Sequence, residues 1–380
     1  MKIFKARNVF EEAKKRIEWA FDNFEEVICS HSGGKDSTIC FQIALMVARE
    51  KGRLPLKVFF LDQEAEWKMT IDHIHSVMYL PDVEPMWLQV PFRMSNATSI
   101  TDLYLNAWDP AEEEKWIHPK DPVSLKENVY GQDRFHKMFG AIAKYHFFGK
   151  NIAFLAGMRT EESPTRFCAI TSFEVCRGVT WGRRFSNEGS KRGLHVTLYP
   201  IYDWRLADVW KAILDNDWPY CDLYNVMYNY GVPYNNMRVS NIHHETAVRS
   251  LFYLQEVEPE TYERLVARIG GIDMAGKMGK DDYFVKDLPF MFSSWWEYRD
   301  YLLEHLVADE KRRVGFRKIF GKQDEVYGPV LGLAMPKLHI QSILTNDFEY
   351  TKLQNFERSP EAYAIRKGIR NGGCKTDWKA

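Results

Sequence analysis

Apolar residues in the first 160 positions follow two alternating periods. Val9, Ala13, Ile17, Ala20 and Phe24 share the three- and four-residue spacing of one helix face, and that stripe ends near Asp22-Asn23. Glu26 to Ser30 then reads as a strand, and a helix is expected from about Ser37 to Glu50, stopping at Gly52. Leu56-Lys-Val-Phe-Phe-Leu61 is a short apolar run of the kind buried in parallel sheets. A helix over about Glu66–Met78, a strand over Glu84–Val90, a helix over Phe135–Phe148 and a strand over Ile152–Ala156 continue the alternation. Strand–helix–strand units of this kind close with a right-handed crossover. The pattern therefore predicts an α/β fold, an open, mostly parallel, doubly wound sheet that binds its ligand at the carboxyl ends of the strands.

The rest of the chain departs from this rhythm. Residues 93–135 are irregular, and Trp108, Pro110, Trp116, Pro119 and Pro122 suggest a structured insertion. Beyond about residue 236 the pattern is amphipathic helix, over Ala247–Gln255, Pro259–Ile269 and Phe292–Val307. The expected organisation is a nucleotide-binding catalytic domain over 1–235 and a helical C-terminal extension over 236–380.

Composition narrows the function classes. Hydrophobic residues make up 45% of the 380 and the formal charge is −1, so no global field marks a nucleic-acid or membrane binder, and any basic site must be local. No apolar run approaches the roughly 20 residues that span a bilayer. The first residues turn acidic at Glu11-Glu12 where a signal peptide would be apolar, so a cytoplasmic protein is expected. Cysteines 29, 40, 168, 176, 221 and 374 form no Cys-x-x-Cys pair, so neither a zinc knuckle nor an iron–sulfur set is written here, and reduced thiols are expected.

The chemistry concentrates between Val27 and Phe41, a strand, a glycine loop and a helix start. In Ser32-Gly33-Gly34-Lys35-Asp36-Ser37, the glycines let backbone N–H groups turn toward an anion, and the helix that Ser37 and Thr38 open points its positive end at the same place. Lys35 adds a full charge, and Asp36 can orient a magnesium ion or the loop itself. This is not the phosphate loop of kinases and GTPases, because Cys29 and Asp36 stand where a glycine and a Ser or Thr belong. A second constellation, Gly157-Met-Arg-Thr-Glu-Glu-Ser-Pro-Thr-Arg166, follows the strand at 152–156 and brings Arg159, Glu162 and Arg166 to the same sheet edge. Two arginines there can neutralise phosphate or sulfate oxygens, with Glu162 holding one of them.

The string Ser32–Ser37 resembles, without mismatch, the SGGxDS loop of the PP-loop ATP pyrophosphatase superfamily. Gly157–Ser163 resembles the GxRxxES motif of its branch holding phosphoadenylylsulfate (PAPS) reductases and the ATP sulfurylase small subunit. Leu198–Trp210 and Trp218–Tyr224 resemble that family's P-I-x-x-W-x-x-x-D-V-W and P-Y-x-x-L-Y segments, and Asp62-Gln-Glu64 lies where the family has an acidic residue near the nucleotide. The resemblance covers about 25–235 and implies an adenine nucleotide alpha hydrolase-like fold that uses ATP with Mg2+. The loop would hold pyrophosphate as leaving group while a substrate oxygen attacks the α phosphorus. It implies nucleotide contacts from Ser32, Gly33, Gly34, Lys35, Asp36, Ser37, Asp62, Gly157, Arg159, Glu162 and Arg166, with Lys35, Asp36 and Arg159 catalytic and Asp36 the metal ligand. Met237–Asn241 and Leu251–Gly271 look like the extension of IbrA-type proteins, which are phage- and island-borne, and suggest a ParB/sulfiredoxin-like partner.

The chain departs from the reductases at its end. Cys374, in Asn371-Gly-Gly-Cys-Lys-Thr, lacks the glutamate and histidine that flank the reductases' attacking cysteine, and the cysteine pairs of their iron–sulfur members are absent. Adenylylation or pyrophosphate release is therefore preferred over sulfonucleotide reduction, with regulatory nucleotide binding as a third reading. Basic stretches at Trp181–Gly193 and Lys311–Lys318 fit either nucleic-acid contact or solvated faces, and the adjacent His243 and His244 cannot share one metal from a regular helix.

Overall fold

The computed structural model describes residues 6–96, 103–163, 166, 167, 170, 174–184, 193–239, 241, 242, 254–272 and 287–370. The chain forms two compact units that interleave in sequence. One comprises Met1–Met94, Asn106–Asn241 and Val257–Arg264, the other Ser95–Leu105, Ile242–Glu256 and Leu265–Ala380.

In the first unit, helix α1 (Val9–Asn23) begins where the Asn8 side chain accepts the Phe10 N–H at 2.8 Å. Strand β1 (Glu26–Ser30), helix α2 (Lys35–Glu50), strand β2 (Leu56–Leu61), helix α3 (Lys68–Met78) and strand β3 (Val83–Leu88) follow in the predicted order. Helix α2 starts two residues before the predicted Ser37, because Gly34 is its N-cap and the Lys35 N–H is taken by the Tyr224 hydroxyl at 3.0 Å. Helix α3 starts two residues late. Its leading N–H groups, on Lys68 and Met69, donate to the Glu258 carboxylate at 2.7 and 2.9 Å, a cap supplied from 190 residues away.

The expected insertion contains strands β4 (Phe92–Ser95) and β5 (Tyr104–Ala107), which pair in a separate two-stranded sheet, and a 3₁₀ turn at Pro110–Lys115. Helix α4 (Phe135–Phe147) and strand β6 (Ile152–Leu155) return the chain to the main sheet. Strands β7 (Gly182–Arg184) and β8 (His195–Leu198) and helices α5 (Leu206–Asp215) and α6 (Leu223–Asn229) complete the main part of this unit.

The main sheet has six strands in the order β3-β2-β1-β6-β8-β7. Five are parallel, and β7 runs antiparallel to β8 at the edge. Successive strands step outward from β1 to β3 on one side, and β6 then returns to the other side of β1, with Ile28 opposite both Lys57 and Phe154. The carboxyl ends of β1 and β6 thus form the switch point at which doubly wound sheets open a crevice. The predicted parallel α/β sheet is what the chain forms. Its core buries Ile28, Cys29, Ile39, Phe41, Val58, Ala153 and Leu155.

Trp204 is fully buried in this core, and its Nε1 donates to the Val9 carbonyl at 3.1 Å. At the start of α5 the Asp208 carboxylate accepts the Arg205 N–H at 2.7 Å, so this pair of motif residues caps and packs.

Helix α7 spans Pro259–Arg268, against an expectation of Pro259–Ile269. Most of α7 belongs to the first unit; the second unit contains a helical cluster of α8 (Trp295–Leu306), α9 (Glu310–Leu331), α10 (Ala334–Leu344), α11 (Thr351–Glu357) and α12 (Pro360–Arg370). Helix α8 begins at Trp295, not at the predicted Phe292, because the Ser294 hydroxyl caps it by accepting the Glu297 N–H at 3.1 Å. Phe316, Phe320, Leu303, Ile343 and Leu353 fill its interior. There the Arg299 guanidinium donates to Asp324 at 2.6 Å and His339 stacks on Phe320 with ring centroids 4.0 Å apart. Burial lowers the His339 pKa to about 3, so the ring is neutral. The basic stretch at 311–318 lies on α9 and is largely engaged. Arg312 packs over Tyr104 and Phe348, and Arg313 and Arg317 pair with Glu304 and Glu310. No described helix is long and apolar enough to cross a membrane. Most of the predicted Ala247–Gln255 helix, residues 185–192 of the first basic stretch, His243, His244, Cys168 and Cys374 lie outside the described residues.

Replacing Trp204 separates its two roles. Trp204→Phe, which keeps an aromatic ring and loses the bond to Val9, is expected to cost about 1 kcal/mol. Trp204→Ala, which also opens a cavity, is expected to cost about 3–5 kcal/mol. Denaturant unfolding of the two variants beside the parent checks the ordering.

A candidate phosphate site at the switch point of the sheet

The loop after β1 is built from bonds within the motif. Gly33 has φ +73°, and a Cβ there would lie 2.6 Å from Thr70 Cγ2, so conformation and space both require glycine. The Ser37 hydroxyl donates to the Gly34 carbonyl at 2.8 Å and accepts the Ser32 N–H at 3.2 Å, with the Ser32 hydroxyl also 3.2 Å away. The Gly33 N–H donates to His31 Nδ1 at 3.0 Å. Among the described residues the N–H groups of Gly34 and Asp36 have no hydrogen-bond partner, leaving them as the donors a helix N-terminus presents to an anion.

The second loop is pressed against the first. A Cβ on Gly157 would fall 2.4 Å from the backbone carbonyl carbon of Asp36 and 2.6 Å from the Ser37 nitrogen, so only glycine permits this approach. Two residues on, Arg159 is 4% exposed, and its Nε donates to Asp36 Oδ1 at 2.5 Å. Lys35 is 5% exposed, with Nζ 3.3 Å from Asp36 Oδ2 and 3.3 Å from the Met237 carbonyl oxygen that accepts from it. One carboxylate thus holds two buried cations from different loops. Burial lowers the Lys35 pKa, Asp36 works against that, and Arg159 and Arg238 add to it.

Glu162 and Arg166 pair with each other, and Glu162 lies 4.0 Å from the Arg159 guanidinium. The structure therefore gathers Ser32, Gly33, Gly34, Lys35, Asp36, Ser37, Gly157, Arg159, Glu162 and Arg166 around the two loops. Asp62 is different. Its carboxylate is fully buried and accepts from Trp87 Nε1, Gln89 Nε2 and the Glu64 N–H, each at 2.9 Å, with His118 Nε2 3.5 Å away. It braces the ends of β2 and β3 and has little capacity left for a ligand.

Several residues were not singled out by sequence. Glu161 accepts from Arg159 at 2.9 Å and from the Leu206 N–H at 2.8 Å, joining the arginine to the start of α5. Tyr224, noticed only as part of a motif, places its hydroxyl on the Lys35 N–H, and burial raises its pKa. Behind the loop, His73 Nε2 lies 3.3 Å from the Thr38 hydroxyl, and its ring centroid is 5.3 Å from that of His31. Burial depresses both histidines, His31 well below its usual value and His73 to about 4. Beside β2, burial pushes the Glu66 carboxyl well up, with the Asp62 charge adding to it.

Among the described residues no three His, Cys, Asp or Glu side chains converge as a metal site. The loop offers a cation one carboxylate, and both oxygens of Asp36 already face Lys35 and Arg159. Asp36 organises the two cations.

Residues 26–230 match the family described as phosphoadenosine phosphosulfate reductase domain, and the chain belongs to that family. Residues 231–367 match a domain of unknown function (DUF3440). The chain is similar to the uncharacterized protein YbdN of Escherichia coli (strain K12), with 28% identity over 316 residues that cover 79% of this chain and 75% of YbdN. Among solved structures, it is similar to Candida glabrata FMN adenylyltransferase in complex with FAD and inorganic pyrophosphate. That match has a TM-score of 0.36 and 15% identity, covering 57% of this chain and 58% of the adenylyltransferase. It is also similar to the phosphate complex of PAPS reductase from Candida auris, with a TM-score of 0.33 and 12% identity over 59% of this chain and 93% of that one. The chain thus spans less than two thirds of the adenylyltransferase it matches.

Two outcomes are expected. Gly157→Ala drives a methyl group into the Asp36 backbone, which has no flexible side chain to yield. It should cost about 1–3 kcal/mol and distort the loop, seen as a lower thermal midpoint. The depressed histidines set a pH dependence. The unfolded chain takes up protons below pH ~6.5 while the buried rings do not, so stability should fall as pH drops from there, by about 1.4 kcal/mol per pH unit for each ring. For His73 this loss should level off near its folded pKa of about 4. Unfolding midpoints between pH 7 and 5 should slope less in His73→Gln than in the parent.

Proposed function

We propose that this chain binds ATP at the crevice between the β1 and β6 loops and cleaves the bond between the α and β phosphates. An acceptor oxygen attacks the α phosphorus and forms a new P–O bond as the bond from that phosphorus to the α–β bridging oxygen breaks; pyrophosphate leaves with that oxygen and the bond's electron pair, and the acceptor's proton passes to solvent. The observation that supports this reading is the arrangement of Lys35 and Arg159 around Asp36 at the start of α2, beside a loop with unused N–H donors.

A pyrophosphate leaving group gathers negative charge as the bond breaks. Buried cations already fixed in place stabilise that charge without reorganising. Lys35 and Arg159 would neutralise the departing phosphates, Asp36 would keep both cations oriented, and Gly34 and Asp36 N–H groups would hold phosphate oxygens. Mg2+ bound to the nucleotide would supply further neutralisation, entering mainly on phosphate oxygens and water, with Asp36 the loop's own carboxylate for it. The acceptor, in this reading a nucleic-acid or other acidic target reached with a ParB/sulfiredoxin-like partner, is unassigned by any motif.

Membership of the reductase-domain family supports a second reading, sulfonucleotide chemistry at the same site. That reaction needs an accessible thiolate. Cys29, Cys40, Cys176 and Cys221 are all buried, and burial raises the pKa of Cys176 and of Cys221, the latter to about 11. The nucleophile would then have to be Cys168 or Cys374.

The deciding measurement is turnover of ATP by the purified chain with Mg2+, resolving AMP, ADP, pyrophosphate and phosphate. AMP with pyrophosphate is expected, falling about 10²–10³-fold in Lys35→Ala and in Arg159→Ala. ADP with phosphate would overturn the reading. Unchanged activity in Cys168→Ser with Cys374→Ser would set aside the thiol chemistry.

A further inference from the structure

The segment just past α6 lies on the phosphate loop. Met237 lends its carbonyl oxygen to Lys35 Nζ at 3.3 Å. Tyr224, from α6 itself, holds the Lys35 N–H on its hydroxyl at 3.0 Å. Asn241 then donates through Nδ2 to Glu66 beyond the end of β2. The chain is thus held at Met237 and again at Asn241, on either side of Arg238, and Arg238 is exposed between the two anchors.

Its charge is felt by the site. Arg238 disfavours the charged forms of both Lys35 and Arg166, as does Arg159, so four cations act on one another here. Three carboxylates, Asp36, Glu161 and Glu162, are shared among Lys35, Arg159 and Arg166. Like charges brought together on a fixed frame repel, and an anion arriving among them relieves that repulsion. An exposed arginine fixed at its backbone is also suited to forked bonding with phosphate oxygens at small entropic cost.

We infer that Arg238 is a further anion-binding residue of this site, supplied from beyond the reductase-like domain and directed at the β and γ phosphates of the bound nucleotide. The assignment rests on the nucleotide-site reading above. It adds a specificity element, because a ligand with a pyrophosphate group gains from Arg238 in addition to the two buried cations.

Calorimetric titration of the full chain with inorganic pyrophosphate tests this without requiring turnover. Arg238→Ala should bind pyrophosphate about 10-fold more weakly, the loss of one charge-assisted contact. Arg238→Lys should recover part of the affinity, and thermal midpoints should stay unchanged because the side chain is exposed. Pyrophosphate affinity equal to the parent's in Arg238→Ala, alongside a defect in Lys35→Ala, would overturn the role of Arg238 and leave the nucleotide site standing. A weakened Arg238→Ala with a lowered midpoint and no recovery in Arg238→Lys would mark a purely structural residue. No binding of pyrophosphate or ATP by the parent chain would overturn the nucleotide-site reading and the assignment with it.

Discussion

Two cations buried close together repel, and the protein keeps Lys35 and Arg159 in one crevice by placing the Asp36 carboxylate between them. This three-membered arrangement is where the loops of β1 and β6 meet, and the surrounding structure serves it. Gly157 allows the backbones to touch, Glu161 binds the far side of the guanidinium, and Tyr224 fixes the first N–H of α2. Removing one partner from a buried charged group costs about 3–5 kcal/mol, because the remaining charges stay buried without compensation. The arrangement is therefore more a means of positioning cations than a source of stability.

The same arrangement keeps its cations incompletely satisfied. Burial disfavours the charged Lys35 despite its contacts with Asp36 and the Met237 carbonyl, and Arg159 shares its carboxylates with other groups. A crevice in this condition is preorganised for an added anion, since the cost of assembling the charges is met when the chain folds.

Much of this was legible in the sequence, for identifiable reasons. The strands could be read because they are short and continuously apolar, and β1 and β2 fall where the pattern placed them. The loop could be read because glycine requirements are local: Gly33 needs its positive φ whatever surrounds it. What escaped were features set by distant chain. The starts of α2 and α3 depend on Tyr224 and Glu258, and no window around residue 35 or 68 contains them. Asp62 was placed near the nucleotide by its motif position, but its four neighbours come from the ends of β2 and β3 and from the insertion, where the pattern gave no register. His31 escaped because its partner is a backbone N–H of the loop, and Glu161 because one of its two partners, the Leu206 N–H, is a backbone group 45 residues away; neither leaves a compositional trace.

The Lys35 ammonium lies within the reductase-like domain and the Met237 carbonyl it donates to lies beyond it, so this bond crosses a family boundary. Residue 230 divides the two sequence families, yet the compact unit that holds the phosphate loop continues to Asn241 and takes in Val257–Arg264 as well. The two regions are accordingly not interchangeable modules. A recombination event, or a truncation guided by family boundaries, would separate the loop lysine from the carbonyl it rests on, so the pair is expected to be inherited as one piece.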